Sequence, residues 1–162
     1  MGIGKVTILL GSKSDIPYVE GCVKTLKEFG IDYEVKIISA HRTPELLEEF
    51  LKNDNGDLYI AAAGYAAHLP GVVASKTLKP VIGIPLDTSP LMGGLDALLS
   101  IVQMPPGIPV ATVTVGKAGG TNAAVLAVQI LSLKYPELVK KLEEYRIKMK
   151  EKIKKANEEL NL

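Results

Sequence analysis

Two histidines, one of the chain's two arginines, and several short runs of glycine and hydroxyl residues are the groups here whose type and spacing can do chemistry. His41 and Arg42 are adjacent in Ser39-Ala40-His41-Arg42-Thr43-Pro44. Arginine offers a permanently charged planar fork for a phosphate. Histidine titrates near neutral pH and both gives and takes a proton. His68 stands in Gly64-Tyr65-Ala66-Ala67-His68-Leu69-Pro70-Gly71, behind a run of small residues that Tyr65 interrupts. A buried, hydrogen-bonded histidine is an equal reading there. Gly11-Ser12-Lys13-Ser14-Asp15 carries backbone N–H groups and hydroxyls that suit a phosphate at a helix start. A plain turn and cap is an equal reading of those five residues. They form no Walker loop, and no GxGxxG run occurs. Asp15, Ser39 and Asp96 are the side chains available to polarise a histidine.

These residues need elements to bring them together, and the hydrophobic pattern supplies them. Val6–Leu10, Leu58–Ala63, Val81–Pro85 and Val110–Val115 are short continuous apolar runs, and Tyr33–Ile38 alternates in part. Such runs are strands buried on both faces, as in a parallel sheet. Each is followed by a small-residue loop and a stretch with helical spacing. Asp15 with Pro17 opens a first helix that stops at Phe29-Gly30. Thr43-Pro44-Glu45 opens a second, Pro70 a third, Gly94 leads into a fourth and Thr121-Asn122 into a fifth. Five alternations predict an α/β fold: a three-layer αβα sandwich around a flavodoxin-like, doubly wound parallel sheet of about five strands. Every loop singled out above follows the carboxyl end of a strand, the edge where such sheets bind ligands.

Composition narrows the function. Lys and Arg total 19 against 18 Asp and Glu, a net charge of +1, which leaves no basic footprint for nucleic acid. Aromatics are 5% and Trp is missing, so stacking platforms for single strands are poorly supplied. No apolar stretch is long enough to span a membrane, and the start lacks the flanks of a signal peptide. One cysteine, Cys22, excludes an internal disulfide and a cysteine-built metal site, and it fits a cytoplasmic setting. With two histidines on separate loops, no metal and no cofactor are expected. Cys22 shares a helix face with Leu26 and Phe29, which predicts burial.

The loops GSKSD, SAHRTP, AAHLPG, SIVQMPPGIPV and GKAGGTNAA, in that order, resemble the N5-carboxyaminoimidazole ribonucleotide mutase family of de novo purine synthesis. The resemblance runs from about Val6 to Leu133. It implies conversion of N5-carboxyaminoimidazole ribonucleotide to 4-carboxy-5-aminoimidazole ribonucleotide without metal, ATP or biotin, by a homo-octamer. It implies that Ser12, Asp15, Ser39 and Arg42 bind the nucleotide, Asp15 on the ribose hydroxyls and the others toward the phosphate. It implies that His41 transfers the proton, with His68 also catalytic, and that Gly64, His68 and Leu69 border the base and the migrating carboxylate. Tyr65 occupies a position that is usually small in the family loop. A direct aminoimidazole ribonucleotide carboxylase using free carbon dioxide stays open as a rival, as does a flavodoxin-like nucleotide-binding module.

The last segment differs from the rest. Residues 1–133 read as a single catalytic α/β domain and 134–162 as a helical extension involved in oligomer contacts. The extension holds nine Lys and Arg against six Asp and Glu. Leu138, Leu142, Tyr145, Met149 and Ile153 form one apolar stripe along it.

Overall fold

Strands with alternate side chains on opposite faces need cover on both sides, and helices supply it here. A computed structural model describes residues 3–160. It contains β1 (Lys5–Leu10), α1 (Ile16–Phe29), β2 (Asp32–Ile37), α2 (Pro44–Asn53), β3 (Leu58–Ala63) and α3 (His68–Ser75). The chain continues through β4 (Val81–Pro85), α4 (Leu95–Val102), β5 (Ala111–Thr112), α5 (Lys117–Ser132) and α6 (Glu137–Glu158). All strand pairs are parallel, in the order β2-β1-β3-β4-β5. Val6, Ile8 and Leu10 of β1 face α1 and α5, packing with Cys22, Leu26 and Ala124. Leu9 and the alternate residues Tyr59 and Ala61 of β3 face the other layer, with Leu47 of α2, Val73 of α3 and Ile101 of α4. The sandwich is therefore three-layered, as the alternation predicts.

The reversal of strand order falls between β1 and β3. The chain leaves β1 toward the α1 layer and leaves β3 toward the α3 layer, so the two loops part and open a crevice at the carboxyl edge. β2 lies at one edge of the sheet, which explains its partial alternation: Val35 and Ile37 are exposed there.

Four local expectations are corrected. β5 spans only Ala111–Thr112 of the apolar run 110–115, because its ladder to β4 slips by a residue: Val113 N–H reaches the Gly83 carbonyl at 3.1 Å, but the Pro85 carbonyl, two residues on, is taken by Gly116 N–H at 2.8 Å and not by Val115. α3 begins at His68, two residues before Pro70. α5 begins at Lys117, so Gly119 and Gly120 belong to a helix and not to a loop. Their role is close packing: a Cβ on Gly120 would sit 2.5 Å from the Tyr18 carbonyl oxygen of α1. The Asp15 carboxylate does not cap α1; it turns back to accept from Ser12 N–H at 3.0 Å, within a 3-10 turn over Lys13–Asp15.

α1 and α5 touch along glycine, so the seat of α1, and of the loop at its start, depends on that contact. Gly120→Ala is expected to destabilise the fold by about 1–3 kcal/mol, because overpacking against backbone relaxes poorly. A lowered denaturation midpoint at unchanged slope in urea is the expected reading.

Candidate active site

The loops after β1, β2 and β3, with one residue after β4, enclose a cleft of about 710 Å³ at the carboxyl edge. That volume suits a small-molecule ligand. All eight residues that the family resemblance assigns to the site line it: Ser12, Asp15, Ser39, His41, Arg42, Gly64, His68 and Leu69; Asp96, the further candidate to polarise a histidine, does not. Thr88 lines it too and was not singled out. Its hydroxyl lies against Gly64, where a Cβ would overlap it. The available signal was a hydroxyl residue just past the carboxyl end of β4.

At one end lies an anion-suited corner. Asp15 Oδ2 holds Ser12 N–H, and Ser12 Oγ accepts from the Ser14 hydroxyl at 3.0 Å. Ser39 begins a tight turn in which Thr43 Oγ1 accepts from Ser39 N–H and donates to the Ser39 carbonyl, both at 3.0 Å. That turn lifts His41 and Arg42 toward the cleft. Arg42 donates from Nη2 to the Gly11 carbonyl at 2.7 Å and from Nε to Ser39 Oγ at 3.3 Å. The guanidinium thus ties the β1 loop to the β2 loop and keeps further N–H donors for a ligand. Asp15 is 8% exposed, and this burial raises its carboxyl pKa above the ordinary value of 3.8. The backbone N–H groups of Ser12 and Gly11 and the charge of Arg42 oppose the rise.

At the other end the two histidines meet. His41 Nε2 and His68 Nδ1 are 2.7 Å apart, with the rings edge-on at 82°. A hydrogen bond between two ring nitrogens needs one N–H and one lone pair, so the pair cannot carry N–H on both facing atoms. This answers which group orients His41. Asp15 bonds to Ser12, Ser39 bonds to Arg42, and Asp96 accepts from Ala97 N–H outside the cleft. The small residues Gly64, Ala66 and Ala67 form the wall beside the pair, and buried Leu69 lines the cleft next to it.

Cys22 is buried on the inner face of α1, and desolvation pushes its thiol up to about 12, so it is inert packing. No described helix is long and apolar enough to cross a membrane.

A three-layer parallel α/β domain with a basic fork and a histidine pair at its switch-point crevice has the form of an enzyme that acts on a small molecule. The sequence comparison narrows that class: a family model for AIR carboxylase matches residues 5–152, and the chain belongs to that family. It is 57% identical to the N5-carboxyaminoimidazole ribonucleotide mutase of Methanocaldococcus jannaschii, over 96% of each chain. It is 53% identical to the protein of that name from Thermotoga maritima, covering 92% of this chain and 87% of the relative. The crystal structure of Treponema denticola PurE superposes with a TM-score of 0.82 at 34% identity, covering 98% of this chain and 99% of the other.

The raised Asp15 pKa has a definite sign. Its stabilising contribution is complete below the ordinary value of 3.8 and is lost as pH rises through the elevated folded value. The ionised group therefore weighs against folding at neutral pH. Asp15→Asn keeps an oxygen for Ser12 N–H, and its melting temperature relative to the parent should be higher at pH 7 than at pH 4. Nucleotide affinity should fall in the same variant, as measured by calorimetry.

Proposed function

We propose that the protein converts N5-carboxyaminoimidazole ribonucleotide to 4-carboxy-5-aminoimidazole ribonucleotide, a step of purine biosynthesis, and that the histidine pair moves the proton. The observation that carries this reading is the 2.7 Å contact between His41 and His68 in one cleft with the Arg42 fork. The relatives' shared name agrees with it. Arg42 and Ser39, with Ser12 opposite, receive the phosphate, and Asp15 accepts from the ribose hydroxyls. That places the imidazole ring toward His41, His68 and the wall at Gly64.

The substrate's own electronics explain why a proton relay is enough. Carbon 4 of an aminoimidazole is the nucleophilic carbon of an enamine. The N5–carboxyl bond breaks with its electron pair passing to N5, which releases carbon dioxide. Carbon 4 then forms the new bond to that carbon dioxide. One proton must leave carbon 4 and one must reach N5, so the reaction is a net isomerisation. His41 takes and returns the proton, and His68 fixes the tautomer that leaves His41 a lone pair. Holding the two fragments together makes recapture effectively unimolecular, an advantage of up to ~7–11 kcal/mol in favourable cases.

The same reading extends to assembly. α6 has 22 residues, about 33 Å of helix. Its first turns pack on the body: Leu138 is fully buried, and Leu142 and Tyr145 pack against the α1/α5 core. Met149 and Ile153, further along the predicted stripe, are 54% and 64% exposed. We assign that distal half to contacts between subunits of a homo-oligomer, an octamer by family resemblance.

Incubation with synthetic N5-carboxyaminoimidazole ribonucleotide and detection of the carbon-carboxylated product tests the reaction; turnover that requires added bicarbonate would favour direct carboxylation instead. His41→Asn should bind the product nucleotide and lose about 10²–10⁴-fold in turnover, the usual share of a proton-transfer group. For assembly, Met149→Ser combined with Ile153→Ser should lower the mass seen by light scattering while the helical circular dichroism signal stays near that of the parent. An unchanged mass would assign the stripe no role in assembly.

A further inference from the structure

Tyr65 breaks a local rule at the edge of the cleft. It is the only described residue other than glycine with positive φ, at 52°. Ala67 N–H bonds to the Gly64 carbonyl at 3.0 Å, so residues 64–67 form a tight turn with Tyr65 at its first central position. Positive φ there is the province of glycine, asparagine and aspartate. A bulky aromatic residue held in this way is strained, and strain of this kind concentrates at working sites. The surroundings hold it: Gly64 is pressed against Thr88, and α3 begins at His68, one residue after the turn.

The side chain also stands out by position. Tyr65 lines the cleft and is nevertheless 60% exposed. It is the only Phe, Tyr or Trp among the lining residues, and its neighbours on that wall are Gly64, Ala66 and Ala67. The wall beside the histidine pair is thus low, except where Tyr65 rises from it.

We propose that Tyr65 is a commitment determinant: its ring covers the mouth of the cleft beside the histidines and keeps released carbon dioxide within reach of carbon 4. The role rests on the reaction proposed above. Between breaking the N5–carboxyl bond and forming the bond at carbon 4, the migrating group is a small neutral molecule with no charge for Arg42 to hold. Only enclosure retains it, and enclosure is what this wall otherwise lacks. An aromatic ring supplies a large apolar cover with few torsions to order. The ring serves in this role and the hydroxyl does not.

The test is a partition measurement on the full-length protein. With synthetic N5-carboxyaminoimidazole ribonucleotide in buffer containing ¹³C-bicarbonate and carbonic anhydrase, two quantities are followed after subtraction of the enzyme-free rate. One is the fraction of turnovers ending in aminoimidazole ribonucleotide and free carbon dioxide. The other is the ¹³C content of the carboxylated product. Tyr65→Gly relieves the backbone strain, so it should melt no lower than the parent. Both quantities should rise roughly tenfold or more, as expected when a captured fragment loses its enclosure. Tyr65→Phe should match the parent in both. An active Tyr65→Gly variant with unchanged partition and unchanged label overturns the cover while leaving the reaction intact. A parent protein that forms no carboxylated product overturns the reaction, and the cover with it.

Discussion

The site depends on one topological constraint: β1 and β3 are neighbours although they are not consecutive in the chain. Their crossover connections run to opposite faces of the sheet, so the loops at their carboxyl ends diverge. A parallel sheet with this order must have a crevice there. Residues placed on the loops after β1, β2 and β3 share that crevice whatever their separation in sequence. His41 and His68 are 27 positions apart and meet at 2.7 Å for this reason.

Within the crevice the two ends are built differently. The anion-suited end is held by hydrogen bonds, with Arg42 spanning from Ser39 to the Gly11 carbonyl and Asp15 closing the turn that begins at Ser12. The histidine end is made from small residues, where Gly64 has no room for a Cβ because Thr88 fills the space. Polar groups that are already satisfied lose little on meeting a charged ligand, and close backbone walls shape the space for its ring. In the proposed reaction this becomes a division of labour: one end holds the phosphate, and the other shapes the space for the ring and moves the proton.

The core has a matching asymmetry. On the α1/α5 face the two helices meet through Gly21 and Gly120, which leave no room for a Cβ beside Thr121 and the Tyr18 carbonyl, and Gly119 sits close against the Thr114 carbonyl and Ile84 of β4. On the other face, larger side chains such as Leu47, Val73 and Ile101 fill the space. Tight contact beneath α1 fixes the loop that starts it, which carries Ser12 and Asp15.

Much of this was legible in the sequence. Continuous apolar runs identified β1, β3 and β4 to within a residue, since a strand buried on both faces can hold little else, and the partly alternating run 33–38 identified the edge strand β2 as closely. The glycine after Phe29 marked a helix end, confirmed by its φ of 71°. Loop position alone gathered His41, Arg42, Ser12 and His68 on one edge. Sequence did not distinguish a loop glycine from a packing glycine, so α5 was expected to begin at Thr121 and not at Lys117. Nor did it show that Asp15 turns back to Ser12, or that each histidine's partner is the other and not a carboxylate. Periodicity and turn chemistry are local, and the chain carries them in order. Strand order, the length of an edge strand and the distance between two rings are settled only when distant segments compete for the same space, which is the work of tertiary structure.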